Sequence, residues 1–567
     1  MIAFNGASVK RLAKKAVSRE FLLGDYDYGY LFTPEMPFTK KPPKTQPFFG
    51  LNSEMPVVLG LLLGFQHALA MLAGVITPPI IISLAANLTL DVQQYLVSAS
   101  LISSGLLSLI QISRFRIPKT KYFVGTGLLS VVGTSFATIT IVTKAFPLMY
   151  SNGMCPTTNG VPGPCPDGYG MILATGSLCA LLEILLSFCP AKILQKVFPP
   201  LVTGPVVLLI GTHLVESGFN DWIGGSACVG KLCAKNLPWG SAQFIGLGFL
   251  VYVSIIIFEK YGSPIMKSCA VILGLLVGCI VAAACGYFTD AGIKKAPVAT
   301  FLWVHTFKLK IYAPAILPFL AVYIVLMMEA IGDITATSDV SRLEVEGELY
   351  ESRIQGGVLA DGFNGVLSGL FTITPMSVFA QNNGVISITK CANRTVGFWC
   401  AFFLVIMGVF AKFAAAIVSI PKPVLGGMTS FLFTSVAVSG IKIICTTEFL
   451  RRDRFVLTAS LLPGLGATLV PNWFNNVFTY SGPNKGLHGF FDAIILVMET
   501  GFALTGLLGV ILNLIIPPMA DDVEEINEVV LETIGSADQH ALEVYATKEK
   551  SVLNRPVHET SSSSASK

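Results

Sequence analysis

Charge is what this chain has least of. Asp, Glu, Lys and Arg make up 13% of its 567 residues and hydrophobic residues 53%, whereas about 25% of a soluble domain is charged. That balance excludes a soluble globular chain and predicts an integral membrane protein. The net charge of +4 comes without any basic stripe interleaved with aromatics, which excludes a nucleic-acid-binding surface. The sequence has no nucleophile–base pair, metal-ligand spacing or phosphate loop, so no enzyme, bound metal or organic cofactor is expected. A secretory signal is missing too. The basic cluster Lys10, Arg11, Lys14, Lys15 and Arg19 runs into polar DYDYGY and Pro-rich sequence, so the first span is expected to be its own insertion signal.

What the chain has instead is apolar runs of membrane-crossing length. They recur from Pro56 to Ile516, and at about 20 residues per crossing they make about fourteen spans. Seven are expected near 56–76, 91–112, 122–143, 169–189, 197–216, 241–258 and 268–287. Seven more are expected near 315–332, 356–372, 379–396, 397–419, 424–443, 455–472 and 489–516. An odd number of crossings reverses the chain, so two sevens predict an all-α polytopic protein built as an inverted repeat, the plan of many secondary transporters.

With the N-terminus inside, Arg114, Arg116, Lys119, Lys121, Lys192, Lys196, Lys260, Arg451, Arg452 and Arg454 fall on the cytoplasmic face, as the positive-inside rule requires. The outside loops then hold two cysteine pairs, Cys155 with Cys165 and Cys228 with Cys233, on the face where disulfides persist. The other eight cysteines read as small packing residues. The sequons at Asn87 and Asn393 lie close to the membrane and on the cytoplasmic side respectively, and both are expected to stay bare. After Pro518 the acidic DDVEEINEVV and terminal SSSSASK read as a solvated helix followed by disorder.

An ionisable group at membrane depth costs on the order of 3 kcal/mol, so Glu183, Glu329, Asp361, Lys412 and Glu499 each need a reason. Lys412 and Glu499 fall near span ends, where a side chain can snorkel, and Glu183 in LLEILLSF reads as a helix-packing partner. Glu329 differs. It lies eleven positions after Pro318, about 16 Å along a helix and near the midplane, and Asp333 at i+4 shares its face. Two such carboxylates resist joint ionisation, which makes one of them a candidate proton carrier. Gln66 and His67 sit midway through the first span, as helix-to-helix hydrogen bonders or, for His67, as a proton carrier.

The stretch TPMSVFAQNNGVISITK is the most polar at depth. Pro375 and Gly384 bracket it, so a continuous helix through Phe379–Asn383 is not expected. Broken backbone inside a membrane must line a cavity or be buried in protein. A helix starting after such a break points its positive end at the gap, a site for a polar or anionic small molecule. In the third span Ser135-Phe136-Ala137 echoes Val378-Phe379-Ala380. Two breaks meeting at the midplane are expected to set Phe136 opposite Gln381, with Glu329 alongside. Aromatic face, amide and carboxylate suit a planar, N–H-rich ring.

Gln381-Asn382-Asn383-Gly384 with Thr389-Lys390 resembles the signature motif of the nucleobase-ascorbate transporter (nucleobase-cation symporter-2) family, and Gln66-His67 resembles its first-span motif. QHALAMLAG, MEAIGDITATSDVS, FAQNNGVISITKCANR and DYDYGY are similar to the fungal uric acid-xanthine permeases within it. The resemblance covers about 56–516. It implies a plasma-membrane uric acid/xanthine:H+ symporter with a core domain at 56–190 and 313–420, a gate domain at 191–287 and 421–516, an outside loop at 288–312, and cytoplasmic tails at 1–55 and 517–567. The family pattern implies a homodimer in which the core slides against the gate. It also implies that Glu329 and Gln381 hydrogen-bond the purine, that Phe136 stacks on it, and that backbone at Phe379 and Ala380 contributes. Asp361, His67, Asp333 and Asn382 match positions tied to proton coupling or the site's network; Gln66, Gly384, Thr389 and Lys390 match motif support, and Phe502 a selectivity gate. Lys390 stands where close relatives often have Arg, a departure that bears on affinity because an ammonium is not a rigid fork. A broader uracil or hypoxanthine carrier, an anion carrier on the same plan, and a purine-sensing receptor are the alternatives.

Overall fold

A computed structural model describes residues 18–24, 26–35, 47–158, 160–225, 233, 235, 237–447, 449–474, 476–478 and 485–516. Lys10, Arg11, Lys14 and Lys15, Cys228 and the tail after Pro518 lie outside these residues, so the second cysteine pair and the expected tail helix are not described. The first pair is joined, Cys155 to Cys165. Three of the remaining cysteines, Cys189, Cys285 and Cys445, are exposed rather than packed as expected.

The main helices are α1 (Val57–Ala85), α2 (Leu90–Ile112), α3 (Phe136–Ser151), α4 (Pro166–Leu186), α5 (Pro200–Trp222), α6 (Ala242–Tyr261), α7 (Ala270–Ala284), α8 (Ile316–Val340) and α9 (Glu348–Leu370). They continue with α10 (Gln381–Thr389), α11 (Arg394–Val409), α12 (Ala411–Val418), α13 (Lys422–Ile444), α14 (Arg451–Leu469), α15 (Lys485–Glu499) and α16 (Gly501–Ile515). Each expected span overlaps one of these helices or a pair, but 122–143 reaches helix only at Phe136. Among the described residues, however, seven helices are long and apolar enough to cross a membrane, or up to nine if each bent pair is one span. The difference has local causes. The stretch 379–396 holds only the nine residues of α10, ended by Lys390 in a left-handed conformation, φ 53°. The stretch 397–419 bends by 77° between α11 and α12, and 489–516 bends by 85° between α15 and α16, so neither is one straight helix.

Two strands interrupt the helices, β1 (Val132–Thr134) and β2 (Met376–Val378). They pair antiparallel, with Val132 opposite Val378, Gly133 opposite Ser377 and Thr134 opposite Met376. The ladder extends at both ends: Ser135 N–H donates to the Pro375 carbonyl at 2.9 Å and Phe379 N–H to the Val131 carbonyl at 3.0 Å. Hydroxyls of α2 complete it, Ser108 Oγ accepting from Val132 N–H at 2.9 Å and Ser104 Oγ donating to the Val132 carbonyl. Backbone that leaves the helix inside a membrane must be paired in this way, since lipid offers no partner. In both halves the strand gives way within three residues to a helix, β1 to α3 and β2 to α10.

The helix contacts fall into two sets. The helix α11 packs along α2 and α1, and α4 along α9 and α8, while α5 packs along α13 and α16, α6 along α7, and α14 along α16. Large apolar side chains stand exposed on the outer faces of α6 and α7 (Phe249, Ile256, Ile257, Leu276, Ile280) and of α14 (Phe455, Leu462, Leu469), a surface suited to lipid or to another apolar surface. The N-terminal segment lies against both sets. Leu31 and Tyr26 pack with Leu59, Leu63 and Ile386. Glu35 N–H bonds the Tyr261 carbonyl, its carboxylate meets Lys267 at 2.8 Å, and Phe49 exchanges backbone hydrogen bonds with Lys390 and Ala392.

Candidate functional site

The two strand-to-helix units converge on a pair of rings. Phe136, first residue of α3, and Phe379, last before the turn into α10, lie parallel with 3° between planes and 6.0 Å between centroids. Phe136 therefore faces Phe379, not Gln381 as the sequence led us to expect. The pairing puts Phe379 beside Val131 at one end of the ladder and Phe136 beyond Ser135 and Pro375 at the other, so the rings meet because that of Phe379 lies back over Gly133. Phe433 of α13 meets Phe136 edge-on at 5.7 Å, and Phe502 belongs to the same buried apolar cluster. The ring of Phe379 occupies a slot cut by two glycines. A Cβ on Gly133 would stand 2.4 Å from Phe379 Cζ, and one on Gly74 2.7 Å from its Cε2. Phe433, Gly74 and Gly133 were not read as site residues, and the SVVGTSF context of Gly133 was the available signal.

Past Phe379 the chain turns into α10. Ala380 is exposed and Gln381 partly so; the N–H groups of Asn382 and Asn383 bond the Phe379 and Ala380 carbonyls at 3.2 and 3.0 Å, which leaves those of Ala380 and Gln381 open at the start of the helix. On the adjoining helix α8, which packs on α3, β2 and α10, Glu329 is likewise partly exposed. Among the described residues neither the Gln381 amide nor the Glu329 carboxyl has a hydrogen-bond partner. The site thus joins an aromatic wall, a free amide, a free carboxyl and the positive end of a helix.

Most of the other expected residues brace this arrangement from behind. Asp361 of α9 is fully buried, and its Oδ2 accepts from Ser377 Oγ at 2.8 Å. Asn382 Nδ2 donates to the Leu129 carbonyl at 2.5 Å, and buried His67 lies beside Asn382. The Thr337 hydroxyl links the Asp333 carbonyl, 2.6 Å, to Asn383 Oδ1, 2.5 Å, so Asp333 reaches α10 through backbone. Thr389 Oγ donates to the Val385 carbonyl inside α10, and Gly384 has open space at its Cβ position. Two residues bear on the site less directly. Gln66 Nε2 reaches Ser268 Oγ at 2.8 Å in the short helix Pro264–Ser268, which packs on α10. Lys390 ends α10, about 13 Å from its start, with an exposed side chain; its difference from Arg does not act on the site directly.

Glu499 is also corrected. It does not snorkel: it is buried, accepts from the N–H groups of Asn472 at 3.0 Å and Phe474 at 3.1 Å, and lies 3.9 Å from Lys144. It lines a cavity of about 880 Å³ with Lys144, His213, Asp221 and Lys422 that reaches Ile139, one turn beyond Phe136 on α3. Lys412 is exposed, as a snorkelling residue would be.

Residues 60–473 match the permease family Xan_ur_permease. The chain belongs to that family. A purine permease of Emericella nidulans (strain FGSC A4) is 61% identical over 538 residues, 92% of this chain and 93% of its own. A uric acid-xanthine permease of the same organism is 57% identical over 538 residues, 94% and 93% of the two chains. The similarity extends to a xanthine permease, XanQ, of Escherichia coli (strain K12), 32% identical over 83% of this chain and 93% of its own. Among solved structures, SLC26A9 gives a TM-score of 0.49 at 12% identity over 72% of this chain and 62% of that one, a likeness too slight to add to the assignment. The relatives are permeases, and this member of the family is a multi-pass membrane transporter rather than an enzyme.

Proposed function

We propose that this permease is a purine importer, a uric acid/xanthine:H+ symporter of the plasma membrane. One observation carries the reading: the uncommitted Gln381 amide opens α10 two residues after Phe379, whose ring lies parallel to that of Phe136, and α8, which carries the uncommitted Glu329 carboxyl, packs on α3, β2 and α10. A purine offers a planar face for the rings and ring N–H and carbonyl groups for the amide, the carboxyl and the first-turn backbone at Phe379 and Ala380. The relative named uric acid-xanthine permease, at 57% identity, supports that substrate class. The helix contacts support a core of α1–α4 and α8–α12 sliding against a gate of α5–α7, α13, α14 and α16, with α15, assigned to the gate, touching both through α8 and α3 on one side and α14 and α16 on the other; the strand-to-helix unit in each half supports fourteen spans in two inverted repeats. The proposal includes H+ as coupling ion, both termini cytoplasmic, Phe502 as a gate on selectivity, and a homodimer.

The relative at 61% identity is named a purine permease, and this favours a second reading, a carrier of broader purine range on the same site. Uptake of radiolabelled xanthine into transporter-deficient yeast, with uric acid, hypoxanthine, uracil and ascorbate as competitors and with a protonophore, separates the two. Competition by uric acid alone supports the first reading and competition by hypoxanthine as well the second. Absence of accumulation at normal surface expression overturns both and leaves a receptor.

A further inference from the structure

Glu183 is a carboxyl at membrane depth for which the proposed site has no use. It lies in the last turn of α4, fully buried, and neither of its oxygens meets a donor. Its neighbour across the contact of α4 with α9 is the carboxyl of Asp361: a Cβ on Gly362, next to Asp361, would stand 3.3 Å from the Glu183 carbonyl carbon. Asp361 is equally buried; Ser377 satisfies its Oδ2, and its Oδ1 has no partner. The remaining groups around the pair bring no positive charge. From α8 come Tyr323, whose buried hydroxyl is also unpartnered, and the acidic Glu329 and Asp333; α4 adds Cys179, and β2 adds the Ser377 hydroxyl. Lys442 of α13 faces Asp333 rather than the pair, and no ion pair with Glu183 or Asp361 forms among the described residues.

Two bare carboxylates side by side in a water-free interior repel each other, and each also bears the loss of its hydration. One proton removes the conflict. Held between them, it lets the Glu183 O–H donate to Asp361 Oδ1 while Asp361 Oδ2 still accepts from Ser377, and the pair carries a single negative charge. We infer that Glu183 and Asp361 share one proton, and that this proton is the one coupled to substrate movement. The coupling half rests on the symporter reading above.

The path to the substrate is short. Ser377 lies in β2 opposite Gly133 and two residues before Phe379, so one hydrogen bond ties the pair to the strand that carries the ring wall. The helices leave little slack, since a Cβ on Gly362, beside Asp361, would stand 2.9 Å from the Ile184 amide nitrogen. When the proton leaves, the pair goes from one negative charge to two where α4 and α9 already touch. The strain is relieved by moving α4 from α9 or by taking up another proton. Glu183 acts here through Asp361 and Ser377, as a positioning residue.

The test uses the full chain in transporter-deficient yeast at matched surface level. Glu183→Gln keeps a donor for Asp361 Oδ1 but has no proton to release. Exchange of internal for external labelled xanthine should persist and protonophore-sensitive accumulation should vanish, with the ratio of uptake at acid and alkaline pH falling to about 1. Wild-type accumulation and pH profile in the variant would overturn the inference, as would loss of exchange together with accumulation. Where the variant fails to reach the surface, the wild-type protein decides. A hydrophobic carbodiimide, which attacks protonated carboxyls, should modify Glu183 or Asp361 at acid pH and less as pH rises; no adduct on either residue overturns the shared proton. If the wild type itself accumulates xanthine regardless of protonophore, the symporter reading fails, and the carbodiimide result still stands or falls separately.

Discussion

Phe136 and Phe379 lie parallel with 6.0 Å between centroids, one ring from each half of the chain. A planar ring in contact with both faces needs about 3.5 Å on each side, so a purine fits between them only if they part by at least about 1 Å, and otherwise lies against one of them. In either arrangement Phe136→Ala removes stacking worth about 1–3 kcal/mol and should raise the xanthine inhibition constant by about 5- to 150-fold. Phe136→Tyr should keep most of the affinity. Competition uptake with unlabelled xanthine reads both values.

The slot around Phe379 yields a second expectation. Gly133→Ala drives a methyl into the Phe379 ring, an overpacking that costs about 1–3 kcal/mol. The ring has to move, so the variant should lose xanthine affinity while its protein still reaches the surface. Wild-type affinity in Gly133→Ala would show that the ring position is not used.

At the polar end of the site, Gln381→Ala and Glu329→Ala each remove a partner from the substrate. A hydrogen bond to a neutral group is worth about 0.5–1.5 kcal/mol and one to a charged group about 1.5–3. Gln381→Ala should therefore weaken binding by about tenfold, and Glu329→Ala should weaken it more and abolish accumulation. Inhibition constants for xanthine, uric acid and their methylated analogues would show which ring position each residue reads.

Glu499 is a structural test case. Glu499→Ala removes the carboxylate that accepts from the N–H groups of Asn472 and Phe474 and that faces Lys144 on the wall of the large cavity. Hydrogen bonds to a charged group are worth about 1.5–3 kcal/mol, and the expected loss is of that size. It should appear as a lower thermal unfolding temperature of the detergent-purified protein.

The break in the helix at Phe379 was legible in the sequence because Pro375, two asparagines and Gly384 interrupt an apolar run, and that pattern has few physical uses inside a membrane. The aromatic, amide and carboxyl types of the site were legible for the same reason. What could not be read was set by pairing across the chain. The β1–β2 pairing lets the Phe379 ring lie back over Gly133 toward Phe136, and no local pattern reports it. Gln66 and His67 are adjacent, yet one turns to Ser268 and the other to Asn382, a split that only the neighbours of α1 determine. Glu499 looked like a span-end residue because the 85° bend after it leaves no mark in composition beyond Thr500-Gly501.

The N-terminal segment touches the far ends of two different helix sets, Glu35 on Tyr261 and Lys267, and Phe49 on Lys390 and Ala392. The two seats use different chemistry. The Glu35–Lys267 ion pair is partly exposed and screened by salt, whereas the Phe49 contacts are backbone hydrogen bonds that salt leaves intact. Raised ionic strength should therefore loosen the hold at Lys267 first and leave Phe49 seated.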